Sequence, residues 1–245
     1  PWTVTAMEFS TKGPAFRKLL GSLCTVTLCT LFPLACGGAA QPDPDREIVT
    51  EPPVYSKVVR ESRERPDMLD ENSPDGLKVI QVTTDEYAPS RNVYTEIKVF
   101  TPDSRRFVFI RQGNFWLCDI DDGYSLRQIT DEQGSQAPSV SPDGRWMYYF
   151  VDRTSSHGGA LLLKRVSLED FHRERLMELE GPLPGVNFRP NGYFTLSSIS
   201  TDGKRLCIGA FLGNDGSFDA PFGLLVFDLE RLTVDLAFQG KEFHN

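Results

Sequence analysis

The chain has 245 residues and a mass of 27.5 kDa, enough for one large domain or two small ones. Forty per cent hydrophobic and 24 per cent charged residues are ordinary globular usage, so most of it should fold. A net charge of −8 argues against nucleic acid as a partner, because phosphate binding wants a basic surface, and a polyanionic sugar would need a local basic patch.

From the N-terminus, Pro1 precedes Met7, which reads as the natural start. Lys12, Arg17 and Lys18 then form a basic region, and residues 19–35 form an uncharged run of 17 residues. That is the layout of a secretory signal peptide over residues 1–36, and the run is short for a membrane span. The leader ends in LACG at 34–37, which resembles a bacterial lipobox with Cys36 as the lipidated residue, although Pro33 departs from the pattern. Cleavage after Ala39 or Ala40 and an uncleaved anchor are the alternatives. The expected location is outside the cytoplasm, in the periplasm or cell envelope, held to the membrane only through a lipid anchor.

Residues 37–76 are expected to be a disordered tether, since 41–76 carries six prolines and dense charge and offers little apolar surface to bury. Within it, residues 54–69 could form a short helix or strand. From residue 77 the texture changes to short apolar runs separated by Gly, Asp, Asn and Pro. Seventeen Phe, seven Tyr and three Trp suit strands.

Three segments then align: TPDSRRFVFI at 101–110, SPDGRWMYYF at 141–150 and STDGKRLCIG at 200–209. Each is a turn followed by a strand, with Pro fixing φ, Asp closing an Asx-turn and Gly accepting a positive φ. Strands are expected before each turn, at 96–100, 137–140 and 194–199. Two more follow each, at 115–120 and 125–129, 161–166 and 174–179, and 224–227 and 234–238. Four antiparallel strands per unit make a propeller blade. Asp103, Asp143 and Asp202 are 40 and 59 positions apart, so the second interval holds an insertion beyond the usual blade of about 40 to 45 residues. Residues 155–159 and 182–192 are the candidate insertions, and 213–223 is a further loop. The expected fold is all-β: a partial β-propeller over 77–245, with three to four blades present and cut short at the C-terminus.

Cys118 and Cys207 lie in apolar strands and read as buried thiols, with a disulfide between them left open. There is no Gly-x-Ser-x-Gly elbow, Cys-x-x-Cys pair, His-Glu-x-x-His helix or phosphate loop. Of the three histidines, His157 sits in a Ser-Gly loop and His172 among charges, both expected to be solvated. His244 stands where the innermost strand of a further blade would begin.

The SPDGRWMYY turn and strand at 141–149 resembles the repeat of TolB-like propellers, the PD40 class of WD40-like repeats. That likeness implies a non-catalytic propeller binding protein or glycan at the cell envelope. More narrowly, LSSISTDGKRL at 196–206, GLLVFDLE at 223–230 and KEFHN at 241–245 resemble the oligogalacturonate lyase family, whose members are seven-bladed propellers of this repeat type. That resemblance implies β-elimination on short uronic-acid oligosaccharides assisted by a divalent metal, typically manganese, with most metal ligands beyond Asn245. His244, at the start of a further blade, is the candidate catalytic base or ligand, and Arg205, in the basic position after the turn, the candidate substrate-binding residue. Arg105, Arg106 and Arg145 recur at places equivalent to Arg205, which gives these positions an alternative structural reading.

Overall fold

A computed structural model describes residues 5–8, 47–94, 96–153, 160–183, 190–212 and 221–240. Their secondary structure is β throughout, apart from a single 3-10 turn at Pro66–Met68. The first elements are β1 (Thr5–Glu8), β2 (Val49–Glu51), β3 (Arg63–Glu64) and β4 (Lys78–Gln81). Strand β4 lies between β1 and β3 in a small sheet.

Three larger antiparallel sheets follow in chain order. The first holds β5 (Ser90–Arg91), β6 (Arg106–Arg111), β7 (Asn114–Asp119) and β8 (Ser125–Gln128). The second holds β9 (Ser135–Val140), β10 (Trp146–Asp152), β11 (Leu161–Ser167) and β12 (Arg173–Leu179). The third holds β13 (Pro190–Ile199), β14 (Arg205–Leu212), β15 (Phe222–Asp228) and β16 (Thr233–Gly240).

The period of two explains how these sheets stack. In β6, Phe107 and Phe109 face the cluster holding Ile80 and Val82, while Val108 faces Met147 and Tyr149 of the second sheet. In β10, Met147 and Tyr149 point back to the first sheet, and Tyr148 and Phe150 point on to Leu206 and Phe227 of the third. The first and second sheets are therefore buried on both faces. This is the face-to-face packing of propeller blades, with the first strand of each sheet innermost. Between innermost strands, the Val140 N–H donates to the Lys98 carbonyl at 2.9 Å, and the Ser139 and Ser197 hydroxyls lie 2.8 Å apart.

The three aligned turns share one hydrogen-bond pattern. Thr101, Ser141 and Ser200 each donate a hydroxyl to the Asp two residues on, at 2.6, 2.5 and 2.5 Å. The same hydroxyl accepts the N–H of Arg106, Trp146 or Arg205 at 3.0 Å. Each carboxylate also accepts a backbone N–H, from Arg105, Arg145 or Lys204. Positive φ falls at Ser104 (58°), Gly144 (71°) and Gly203 (72°).

Two expectations change. The inner strand expected at 96–100 is broken: β5 ends at Arg91, and pairing with β6 resumes only at Val99 and Phe100. Residues 47–64, expected as part of a disordered tether, instead pair along the sheet margins. Strand β2 adds a fifth strand outside β12, Val59 exchanges two backbone hydrogen bonds with Leu126 at 2.9 and 2.8 Å, and β3 pairs with β4. Composition misleads here because the segment's charges are not all solvated. Glu51 pairs with buried Lys164 and Glu61 with buried Arg111. The extended strap also covers outer edges that would otherwise expose unpaired backbone.

Candidate functional site

Each innermost strand departs from regular pairing. Strand β5 breaks after Arg91, β9 shifts register opposite Tyr148 to Phe150, and β13 shifts at two places, Pro190/Gly192 and Tyr193/Ser197. Ala137, at the shift in β9, has φ of 51°, a left-handed conformation that costs a non-glycine residue about 1 to 2 kcal/mol. Its carbonyl accepts the Ser197 hydroxyl at 2.7 Å, which holds the bulge against the third sheet.

These irregularities line a single cavity of about 730 Å³. Arg91, Asn92 and Tyr94 come from the broken strand, Ser135 and Gln136 from β9, Asp152 from the end of β10, and Thr195 from β13. Phe115 and Ile110 supply apolar surface. Arg91 is exposed and makes no ion pair among the described residues. Tyr94 leaves 57% of its surface open. The Gln136 Nε2 is buried without a hydrogen-bond partner among the described residues. A lone guanidinium, two amides and an open aromatic ring around a concave space suit an anionic, hydroxyl-rich ligand.

The residues singled out from the sequence are not brought together there. Arg205 opens β14 at the turn end, exposed, with its N–H on the Ser200 hydroxyl, and does not line the cavity. His172 lies on the margin of the second sheet, with Nδ1 2.6 Å from Asp170 and Nε2 3.2 Å from Glu174, its ring edge-on to Trp146. The Asp170 hydrogen bond, and then that of Glu174, raises its pKa above the ordinary value against the opposing effect of burial. His157, His244 and Cys36 lie outside the described residues.

Among the described residues no group of three or more His, Cys, Asp or Glu converges as a metal site. The described lining offers one carboxylate, Asp152, and no imidazole, so it does not by itself hold a divalent cation. The residues that sequence reasoning missed, Arg91, Asn92 and Tyr94, sit in YAPSRNVYTE at 87–96. Its signal was a polar and aromatic stretch without strand alternation, immediately before an expected inner strand.

No family model matches the chain. An uncharacterized protein of Agrobacterium fabrum is 32% identical over 83 residues, covering 32% of this chain and 27% of that protein. Among solved structures, the chain is similar to oligogalacturonate lyase from Vibrio parahaemolyticus, with a TM-score of 0.56 and 16% identity over 76% of this chain and 49% of that one. It is also similar to an oligogalacturonate lyase in complex with manganese, with a TM-score of 0.54 and 15% identity over 80% and 49%. A putative TolB from Agrobacterium tumefaciens is 22% identical over 62% and 52%, with a TM-score of 0.43. The expected likeness to TolB-like propellers and to oligogalacturonate lyase is thus present among the neighbours. At these identities the likeness is one of fold, and the chain spans about half the length of the lyases it matches.

Proposed function

We propose that this chain forms the opening blades of a seven-bladed propeller that binds short uronic-acid oligosaccharides in its inner-strand cavity and cleaves them by β-elimination. The observation that carries the reading is the Arg91 guanidinium, without an ion pair among the described residues, beside Asn92, Gln136 and Tyr94. A fork of N–H donors matches a sugar carboxylate, and amides match hydroxyls. Elimination takes the proton α to that carboxylate, so a cation beside it favours the charge that develops. In this reading Arg91 orients and neutralises the carboxylate, and His244 is the base. Manganese, found with one of the similar lyases, would need ligands other than the described lining residues.

Further blades are supported by the third sheet's outward face, where alternate residues of β14 and β15 are only partly buried and Phe194 and Phe238 stay 38% and 41% exposed. Export with lipidation at Cys36 is part of the same proposal and rests on the layout of residues 7–36. The one-carboxylate lining favours a second reading, a non-catalytic propeller that binds acidic glycan or envelope protein.

Incubating the full-length protein with oligogalacturonate and manganese, then following keto-sugar release, separates these readings. Turnover that disappears in His244→Ala supports the lyase. Binding without turnover favours the second reading, and neither binding nor turnover contradicts a uronide ligand.

A further inference from the structure

The strap at 47–64 reaches the cavity from outside through two separate chains of contacts. Glu51 extends from β2 to the Lys164 ammonium at 2.5 Å, and that ammonium is only 3% exposed. Lys164 also pairs with Glu132, whose carboxylate takes a second cation from Arg173 at 3.0 Å and the Tyr149 hydroxyl at 3.4 Å. The Glu132 carbonyl accepts the Ser135 hydroxyl at 2.9 Å, and Gly134, Ser135 and Gln136 form one wall of the cavity. Gly134 packs closely on β10: its φ is 82°, its carbonyl accepts the Asp152 N–H at 3.0 Å, and a Cβ there would stand 2.5 Å from the Asp152 carbonyl oxygen.

The second chain begins ten positions further on. Glu61 pairs with Arg111, a guanidinium 4% exposed that lies 5.2 Å over the Trp116 ring. Thr84 fixes Glu61 in turn, its N–H on the carboxylate at 3.2 Å and its hydroxyl on the backbone carbonyl at 2.8 Å. Arg111 is the register partner of Ser90, and Ile110 that of Arg91, so this pair sits directly behind the short strand carrying the cavity's cation. Both cations are buried, and each counts its strap carboxylate among two acidic partners: Lys164 has Glu51 and Glu132, and Arg111 has Glu61 and, at 3.7 Å, Asp85.

We infer that residues 47–64 are a positioning strap for the cavity, with Glu51 holding the wall at 134–136 and Glu61 holding the wall at 90–91. The two walls belong to different sheets, and the strap is one continuous segment that engages a buried cation behind each of them. Glu51 and Glu61 do not line the cavity. They act through Lys164 and Glu132, and through Arg111. The inference concerns the walls and does not depend on which ligand enters.

Native-state hydrogen exchange on the full-length protein tests it without any ligand. Glu51→Gln is expected to speed exchange about tenfold or more at the Ser135, Gln136 and Ala137 amides while leaving Ser90 and Arg91 close to wild type. Glu61→Gln is expected to do the reverse. Should Glu51→Gln not fold, Ser135→Ala cuts the same chain at its last link and carries the same expectation for Gln136 and Ala137. Equal acceleration of both walls in either variant would mean that the strap supplies only global stability and would overturn the inference. Unchanged exchange in both variants would overturn it as well.

Discussion

Pro102 stands against Gly144: a Cβ added to that glycine would lie 2.8 Å from the Pro102 Cδ. The contact recurs one repeat later, where a Cβ on Gly203 would lie 3.4 Å from Pro142 Cδ. The proline of one turn therefore nests on the glycine of the next, and the turns stack as the sheets do. Both glycines have positive φ, so alanine is strained at either. Gly144→Ala should cost about 2 kcal/mol or more, and Gly203→Ala about 1 kcal/mol, in urea unfolding. Equal costs would remove the nesting contact from the explanation.

Lys164 compensates Glu51 and Glu132 from a site only 3% exposed. Lys164→Ala leaves both carboxylates without that cation and should destabilise by about 3 to 5 kcal/mol. Arg105 and Asp121, paired at 2.6 Å with both side chains more than half exposed, make the contrast. Arg105→Ala should change stability by less than about 1 kcal/mol. Denaturation midpoints for the two variants check this, and similar losses would contradict it.

His172 should make stability depend on pH in a defined direction. Asp170 and Glu174 raise its pKa in the fold, so its contribution is complete below the unfolded value of about 6.5. That contribution is lost as pH rises through the higher folded value. Asp170, held at about 2 by the Ser167 hydroxyl and then by His172, contributes above the ordinary carboxylate range and loses its effect as pH falls toward 2. The stability advantage of wild type over His172→Gln should shrink as pH rises above about 6.5 and through the higher folded value. An NMR titration of His172 with a midpoint at or below 6.5 would contradict the assignment.

The two body cysteines should react differently. Cys118 is fully buried in β7, where burial and then the Asp119 charge push its thiol up to about 12. Cys207 is partly buried in β14, with its thiol raised by burial alone. Both are free thiols, on the first and third sheets. Alkylation of native protein followed by mass mapping should label Cys207 first and Cys118 only on unfolding. A Cys118–Cys207 disulfide peptide would refute this arrangement.

The repeat was legible because local chemistry determines it. The turns at 101–105, 141–145 and 200–204 and the strands after them follow from Asp, Gly and period-two apolar runs. The hydroxyls of Thr101, Ser141 and Ser200 recur in the sequence at the first turn position, and their shared bond to the Asp two residues on forms only once the turn closes. The strap was not legible, since Glu51 and Glu61 look like solvated charges until a buried cation from a distant strand meets each one. The cavity was hidden for a related reason. It forms where β5, β9 and β13 depart from regular pairing, and single-strand patterns do not report which departures converge. Arg205 stands after the turn, where its backbone N–H completes the Ser200 hydrogen bond, and it is not among the cavity-lining residues.

On the proposed reading, the inner-strand cavity recognises an acidic oligosaccharide through Arg91. Calorimetric titration of full-length protein with digalacturonate at low ionic strength, wild type against Arg91→Met, tests it most directly. The account predicts measurable binding by wild type and affinity weaker by about tenfold or more in the variant, because the guanidinium is the charged partner of the carboxylate. Equal affinity in the two proteins, or no binding by wild type, would contradict it.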